Sequence, residues 1–121
     1  MKIILGGRAS RKTAKLIQES AKTGYRILTF NKESARGIYD HAMRLRYDIP
    51  VPLTVKDLKR LLDDSEEKAE IKRRGIIIDE LEATLSALCG APVHSVTFCC
   101  ADMPLIIMDS QGNMEMFSKG E

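Results

Sequence analysis

The sequence predicts an α/β fold: a mostly parallel sheet with helices on both faces and a β-hairpin at the C-terminal end. Three observations carry that expectation. Short β-favouring runs alternate with helix-length apolar stripes; a Gly6-Gly7 turn joins the first run to the first stripe; and a later apolar run, Ile76 to Ile78, ends in two acids, Asp79 and Glu80. Strands alternating with helices favour right-handed crossovers that cover both faces of one sheet.

Taken in order, Lys2 to Leu5 reads as a short buried strand that delivers the Gly6-Gly7 turn. Leu16, Ile17 and Ala21 with Ala14 then supply a helical stripe, which Gly24 stops. Tyr25 to Phe30 is rich in β-favouring residues and reads as the second strand. Asn31 caps a helix carrying Ala35, Ile38, Ala42 and Leu45. Pro50 and Pro52 exclude a regular central strand between Ile49 and Val55, so that segment should be an extended edge or connection. Thr54 and Asp57 have capping-box spacing, which starts a helix bearing Leu58, Leu61 and Leu62. Asp63 to Arg74, acids followed by bases, reads as a solvated helix end or loop. Ile76 to Ile78 is a buried strand, and Leu81, Leu85 and Leu88 with Thr84 form the next helix, stopped at Gly90 and Pro92. Val93 to Cys100 is a further strand candidate. Leu105 to Met108 and Met114 to Phe117 flank a turn-rich link, Asp109 to Asn113, and predict the hairpin.

Composition bounds what such a chain does. With 121 residues, 44% hydrophobic and 30% charged, it fits one domain spanning 1–121. No apolar run approaches a membrane span, and Met1 to Leu5 is too short for a signal-peptide core, so the expectation is a cytoplasmic protein that does not engage a membrane. Cys89, Cys99 and Cys100 suit neither a disulfide framework nor a four-ligand zinc site and read as small buried side chains. His41 and His94 lack partners at metal spacing. Met103, Met108, Met114 and Met116 read as core and hairpin packing. Charge is lopsided. Residues 1–60 hold 14 Lys and Arg against 5 Asp and Glu, and residues 61–121 hold 5 against 12, giving nets of +9 and −7. Such a bias creates a local positive field suited to phosphate, or one half of the fold simply neutralises the other.

The segment Gly6-Gly7-Arg8-Ala9-Ser10-Arg11-Lys12-Thr13 meets the Walker A pattern G-x-x-x-x-G-K-[ST] at Gly6, Lys12 and Thr13, with Arg11 in place of the second glycine. A glycine-rich strand-to-helix loop offers inward N–H groups and a helix N-terminus whose partial positive charge favours anions. Lys12 would reach the β- and γ-phosphates, while Arg8 and Ser10 would line the loop. The acid-ended strand has the form of a Walker B segment: Thr13 and Asp79 would hold Mg²⁺, and Glu80 would orient or deprotonate an attacking water. At Arg11 a long side chain either obstructs the phosphate or turns its guanidinium toward it. Because the loop acts through its backbone, impairment is the favoured expectation. Each element also has a plain structural reading: Gly6-Gly7 as an ordinary turn, Lys12 as a solvated helix residue, and Asp79-Glu80 as acids at a helix N-terminus.

On these residues the chain resembles the P-loop NTPases, and within them the branch in which a catalytic glutamate follows the Walker B aspartate. It is also similar to small bacteriophage and prophage proteins that open with a Gly-Gly-Arg-x-Ser-Gly-Lys-Thr loop. The similarity covers Gly6 to Thr13, Ile49 to Leu58 and Ile76 to Leu88. The resemblance implies a nucleotide-binding fold for ATP or GTP with Mg²⁺ and weak NTPase activity at most, since no arginine finger or base-recognition motif stands in the sequence. An alternative is a degenerate P-loop-fold module that binds a host or phage protein without nucleotide chemistry. A third reading, nucleic-acid binding through Arg8, Arg11, Lys12, Lys15, Arg36, Arg44 and Arg46, has no familiar motif or aromatic run behind it.

Overall fold

The computed structural model describes residues 1–7 and 11–117. Among them the chain forms α1 (Lys12–Thr23), β1 (Arg26–Thr29), α2 (Lys32–Arg44), β2 (Leu53–Thr54), α3 (Val55–Arg60), α4 (Glu66–Arg74), β3 (Ile76–Ile78), α5 (Leu81–Cys89), β4 (Leu105–Met108) and β5 (Met114–Phe117). The fold is α/β. β2, β1 and β3 make a parallel sheet in that order, and β4 and β5 make a separate antiparallel hairpin.

Alternation along β1 sends its side chains to two different cores. Ile27 packs with Ile17 of α1, Ile38 and Ala42 of α2, and Ile49. Leu28, pointing the other way, packs with Leu53, Val55 and, beyond them, Leu58 of α3, Ile71 of α4 and Leu88 of α5. Helices therefore cover both faces, two on the Ile27 side and three on the Leu28 side. Complete burial of Ile17 and Ile27 contributes about 1.5–3 kcal/mol per side chain. At the amino ends of the strands Arg26 acts as a clamp. Its Nε and Nη2 donate to Val51 O at 3.0 and 2.8 Å, and its Nη1 pairs with Glu67 of α4.

Helix boundaries follow the capping chemistry. Asn31 accepts from Ser34 N at 2.8 Å, and Thr54 and Asp57 form the reciprocal capping box of α3. The stretch 63–74 holds a helix of its own, α4, which begins where Ser65 Oγ accepts from Lys68 N at 3.2 Å. Glu66 and Glu67 in its first turn and Lys72, Arg73 and Arg74 in its last complement the helix dipole. α3 ends at Arg60, which leaves Leu62 outside it and exposed. Gly24 closes α1 at φ 76°, a left-handed conformation that glycine adopts without strain.

Several expectations are corrected. Lys2 to Leu5 is not a strand, and Ile3 and Leu5 are exposed. The segment instead runs along α1, where Lys2 Nζ meets Glu19 Oε1 at 2.8 Å and Lys12 Nζ donates to Gly7 O at 2.6 Å. Without a neighbouring strand to pair with, the ordering cost of about 1–2 kcal/mol per residue is not offset by ladder bonds. Val93 to Cys100 also forms no strand, because Val93 N donates to Ser86 Oγ of α5 at 3.1 Å and the segment pairs with no neighbour. The cysteines are exposed rather than buried: Cys99 and Cys100 lie on that segment and Cys89 is the last residue of α5. The hairpin forms in the expected register, Leu105 opposite Phe117 and Met108 opposite Met114, but Met103, Met108, Met114 and Met116 are exposed and contribute to neither core. No helix among the described residues is long and apolar enough to cross a membrane.

Candidate functional site

In an open parallel sheet, ligands sit beyond the carboxyl ends of the strands. Here three elements place chemistry at that end. α1 leads into β1 and lies against it, so its N-terminus, with Lys12 and Thr13, stands at the carboxyl end of β1. β3 runs parallel to β1 with Leu28 opposite Ile78, and the ladder continues one step, Asp79 N donating to Leu28 O at 3.0 Å. Asp79 thus lies beside Thr29 at the finish of the sheet. Ile77 faces the α1 and α2 core, while Ile76 and Ile78 face the other. Alternation puts Asp79 on the same side as α1.

Asp79 is 9% exposed. Burial holds its carboxyl above the ordinary range and the Glu80 carboxylate adds to the rise, while the Glu80 N–H and the Lys12 ammonium act in the opposite sense. Lys12 and Asp79 are therefore electrostatic neighbours in the fold although 67 positions separate them in the chain. Thr84 Oγ1 donates to Asp79 O at 2.7 Å and fixes the turn into α5. Glu80 is exposed, occupies the N-cap position of α5 at φ 53° and makes no side-chain cap.

The loop itself is partly in view. Arg8, Ala9 and Ser10 lie outside the described residues. Gly6 and Gly7 are exposed; a β-carbon added at Gly7 would meet nothing within 4 Å. They do not end a strand, so the sheet's carboxyl edge is reached through α1 rather than through a preceding strand. Arg11 is the N-cap residue of α1 at φ 65°, ψ 25°, in the left-handed region that favours glycine. The sequence pattern places a glycine at this position, and the backbone takes the conformation that glycine serves. Arg11 and Glu80 are two of four non-glycine residues at positive φ among those described, and strain of this kind gathers at functional loops.

Two features escaped sequence reasoning. The hairpin turn, Met108 to Gly112, stands across a cleft of about 340 Å³ from Leu5, Gly6 and Gly7. No sequence signal links those segments. Asp109 at that turn spends both carboxylate oxygens on Gln111 and Asn113. The second feature is Thr29, fully buried, whose Oγ1 has no hydrogen-bond partner. A hydroxyl directly after Ile27 and Leu28, at the last position of β1, was the signal available for it.

Among the described residues no three His, Cys, Asp or Glu side chains converge as a metal site. Mg²⁺ differs from such a cluster-bound metal in taking one or two carboxylates and filling its octahedron with water and phosphate oxygens. Four basic residues of the nucleic-acid reading fall at opposite ends of the sheet. Arg11 and Lys12 stand at the carboxyl end of the sheet, whereas Arg44 and Arg46 follow α2 to the amino end. Comparison of the chain with protein-family models, curated proteins and solved structures gave no match.

Proposed function

We propose that this chain binds a nucleoside triphosphate with Mg²⁺ at the carboxyl ends of β1 and β3, in the manner of a P-loop protein. One observation carries the reading: Lys12, at the N-terminus of α1, and buried Asp79 lie at the same end of adjacent parallel strands, near enough for the ammonium to oppose the rise that burial causes at the carboxyl. An ammonium and a helix dipole at the start of α1 attract the β- and γ-phosphates. Asp79, costly to bury alone, becomes an asset beside a divalent cation, with Thr13 offering a second oxygen. Mg²⁺ supplies charge neutralisation of the phosphates. Glu80 follows at once and stands at the solvent side, the position from which a carboxylate orients a water, so slow hydrolysis is the activity to assay.

Calorimetric titration of the nucleotide-stripped chain with Mg-ATP and Mg-GTP tests this. Saturable binding is expected. Lys12→Ala should weaken it by about 1.5–3 kcal/mol, the worth of a charged hydrogen bond, or roughly 10- to 150-fold. A parent chain that binds neither nucleotide would overturn the reading.

A second reading, a P-loop-shaped module that binds a host or phage protein without nucleotide, is favoured by the left-handed Arg11. It predicts that Arg11→Gly gains nucleotide binding which the parent lacks, and that partner binding ignores Lys12→Ala.

A further inference from the structure

Thr29 is fully buried at the carboxyl end of β1 and its hydroxyl oxygen has no partner in the fold. Nearby polar groups do not explain it. Thr54, its register partner on β2, spends its hydroxyl on Asp57 N at 3.1 Å, and Ser20 on α1 spends its own on Tyr25 O at 2.7 Å. Alternation puts Thr29 on the same side as Ile27, facing α1, and one register step beyond Leu28 and Ile78 sets it beside Asp79 on that same side. Neighbouring strands run about 4.8 Å apart, so the two side chains are adjacent on the face that α1 covers. A buried hydroxyl without a partner is rare because its desolvation goes uncompensated, and the usual resolution is an ordered water or a ligand.

We infer that Thr29 is a positioning residue of the site: its hydroxyl and the Asp79 carboxylate together hold a water belonging to the shell of a hydrated divalent cation. The hydroxyl donates to or accepts from that water and makes no contact with the nucleotide. Valine there would fill the same space, keep the strand and remove only the oxygen. This rests on the Mg²⁺-nucleotide reading for its biological ligand, but the cation alone is enough to test it.

The full chain, Thr29→Val and Thr29→Ser are compared by melting temperature without ligand, by Mn²⁺ binding followed through water-proton relaxation without nucleotide, and by calorimetry with ATP in Mg²⁺ and in EDTA. Thr29→Val is expected to melt no lower than the parent, to lose about tenfold in Mn²⁺ and Mg-ATP affinity, the worth of one hydrogen bond, and to bind ATP in EDTA as the parent does. Thr29→Ser should restore the cation affinity. The inference is overturned if Thr29→Val binds Mn²⁺ and Mg-ATP like the parent, if it loses ATP equally in EDTA, or if it melts well below the parent, which would mean the hydroxyl serves the fold. Mn²⁺ binding that depends on Thr29 in a chain that binds no ATP supports the inference and sinks the nucleotide reading. Mg-ATP binding indifferent to Thr29 does the reverse, and a parent that binds neither sinks both.

Discussion

Arg11 holds a backbone conformation that costs an L-residue about 1–2 kcal/mol, and it does so at the entrance to α1, with no side-chain cap to compensate. Glycine there removes that cost while loosening the unfolded chain by about 0.4–1 kcal/mol. Arg11→Gly is therefore expected to leave stability unchanged or raise it by up to about 1 kcal/mol, read as the midpoint of urea unfolding. A clear loss would show that the guanidinium makes contacts which outweigh the strain. Asp79 shows the opposite relation between residue and fold. Its carboxyl is buried beside Glu80, so the free chain tolerates it at a cost that a bound cation would relieve. Lys12, Asp79 and Glu80 were singled out in the sequence, as expectations, because each belongs to a recurrent pattern of residue types at fixed spacing. Thr29 was not, since nothing in a lone threonine after Ile27 and Leu28 tells which strand will lie alongside.

At the scale of elements, α3 shows how much a short helix owes to its first turn. Six residues are too few to be stable alone. Its capping box joins Asp57 N to Thr54 Oγ1 and Thr54 N to Asp57 Oδ2 at 3.1 and 3.0 Å. The Thr54 N–H holds the Asp57 carboxyl below its ordinary range. A carboxyl with a lowered folded pKa stabilises the fold above its unfolded value, near 3.8, and that contribution is lost as pH falls through the folded value. Between pH 7 and pH 3, Asp57→Asn should thus show a shallower decline in stability than the parent, measured by urea unfolding across that range. Equal slopes would remove Asp57 from the account. The capping box, the Asn31 cap and the hairpin register were all readable from local sequence, because each depends on residues within a few positions. The fate of Lys2 to Leu5 and Val93 to Cys100 was not. Both have strand composition, but a strand exists only where a neighbour offers an edge.

The molecule as a whole is unevenly built. Both cores gather on the sheet, and their buried members run from Ile17 to Val55, with α4, β3 and α5 packed against them at partial burial. Residues 91–117 contribute to neither core, and Leu105, Ile107, Met114 and Met116 remain more than half exposed. A two-stranded hairpin is marginal by itself. Hydrogen exchange should separate the two regions: amides of β4 and β5 exchange through local opening, while those of Ile27 and Leu28 exchange only with global unfolding. Uniform protection across both would contradict this division.

The register of the sheet has a consequence for the order in which the chain comes together. Leu28 finds Leu53 on one side and Ile78 on the other, and the second span is twice the first. Closing a span of double length costs only about 0.6 kcal/mol more, but during synthesis the difference is absolute, since β3 does not yet exist when β1 and β2 are complete. The half of the chain that emerges first carries the +9 charge and Lys12, Thr13 and Thr29. The carboxylate of Asp79 follows them, with the strand that sets it beside them, so the basic and hydroxyl groups at this end of the sheet are in place before the carboxylate joins them.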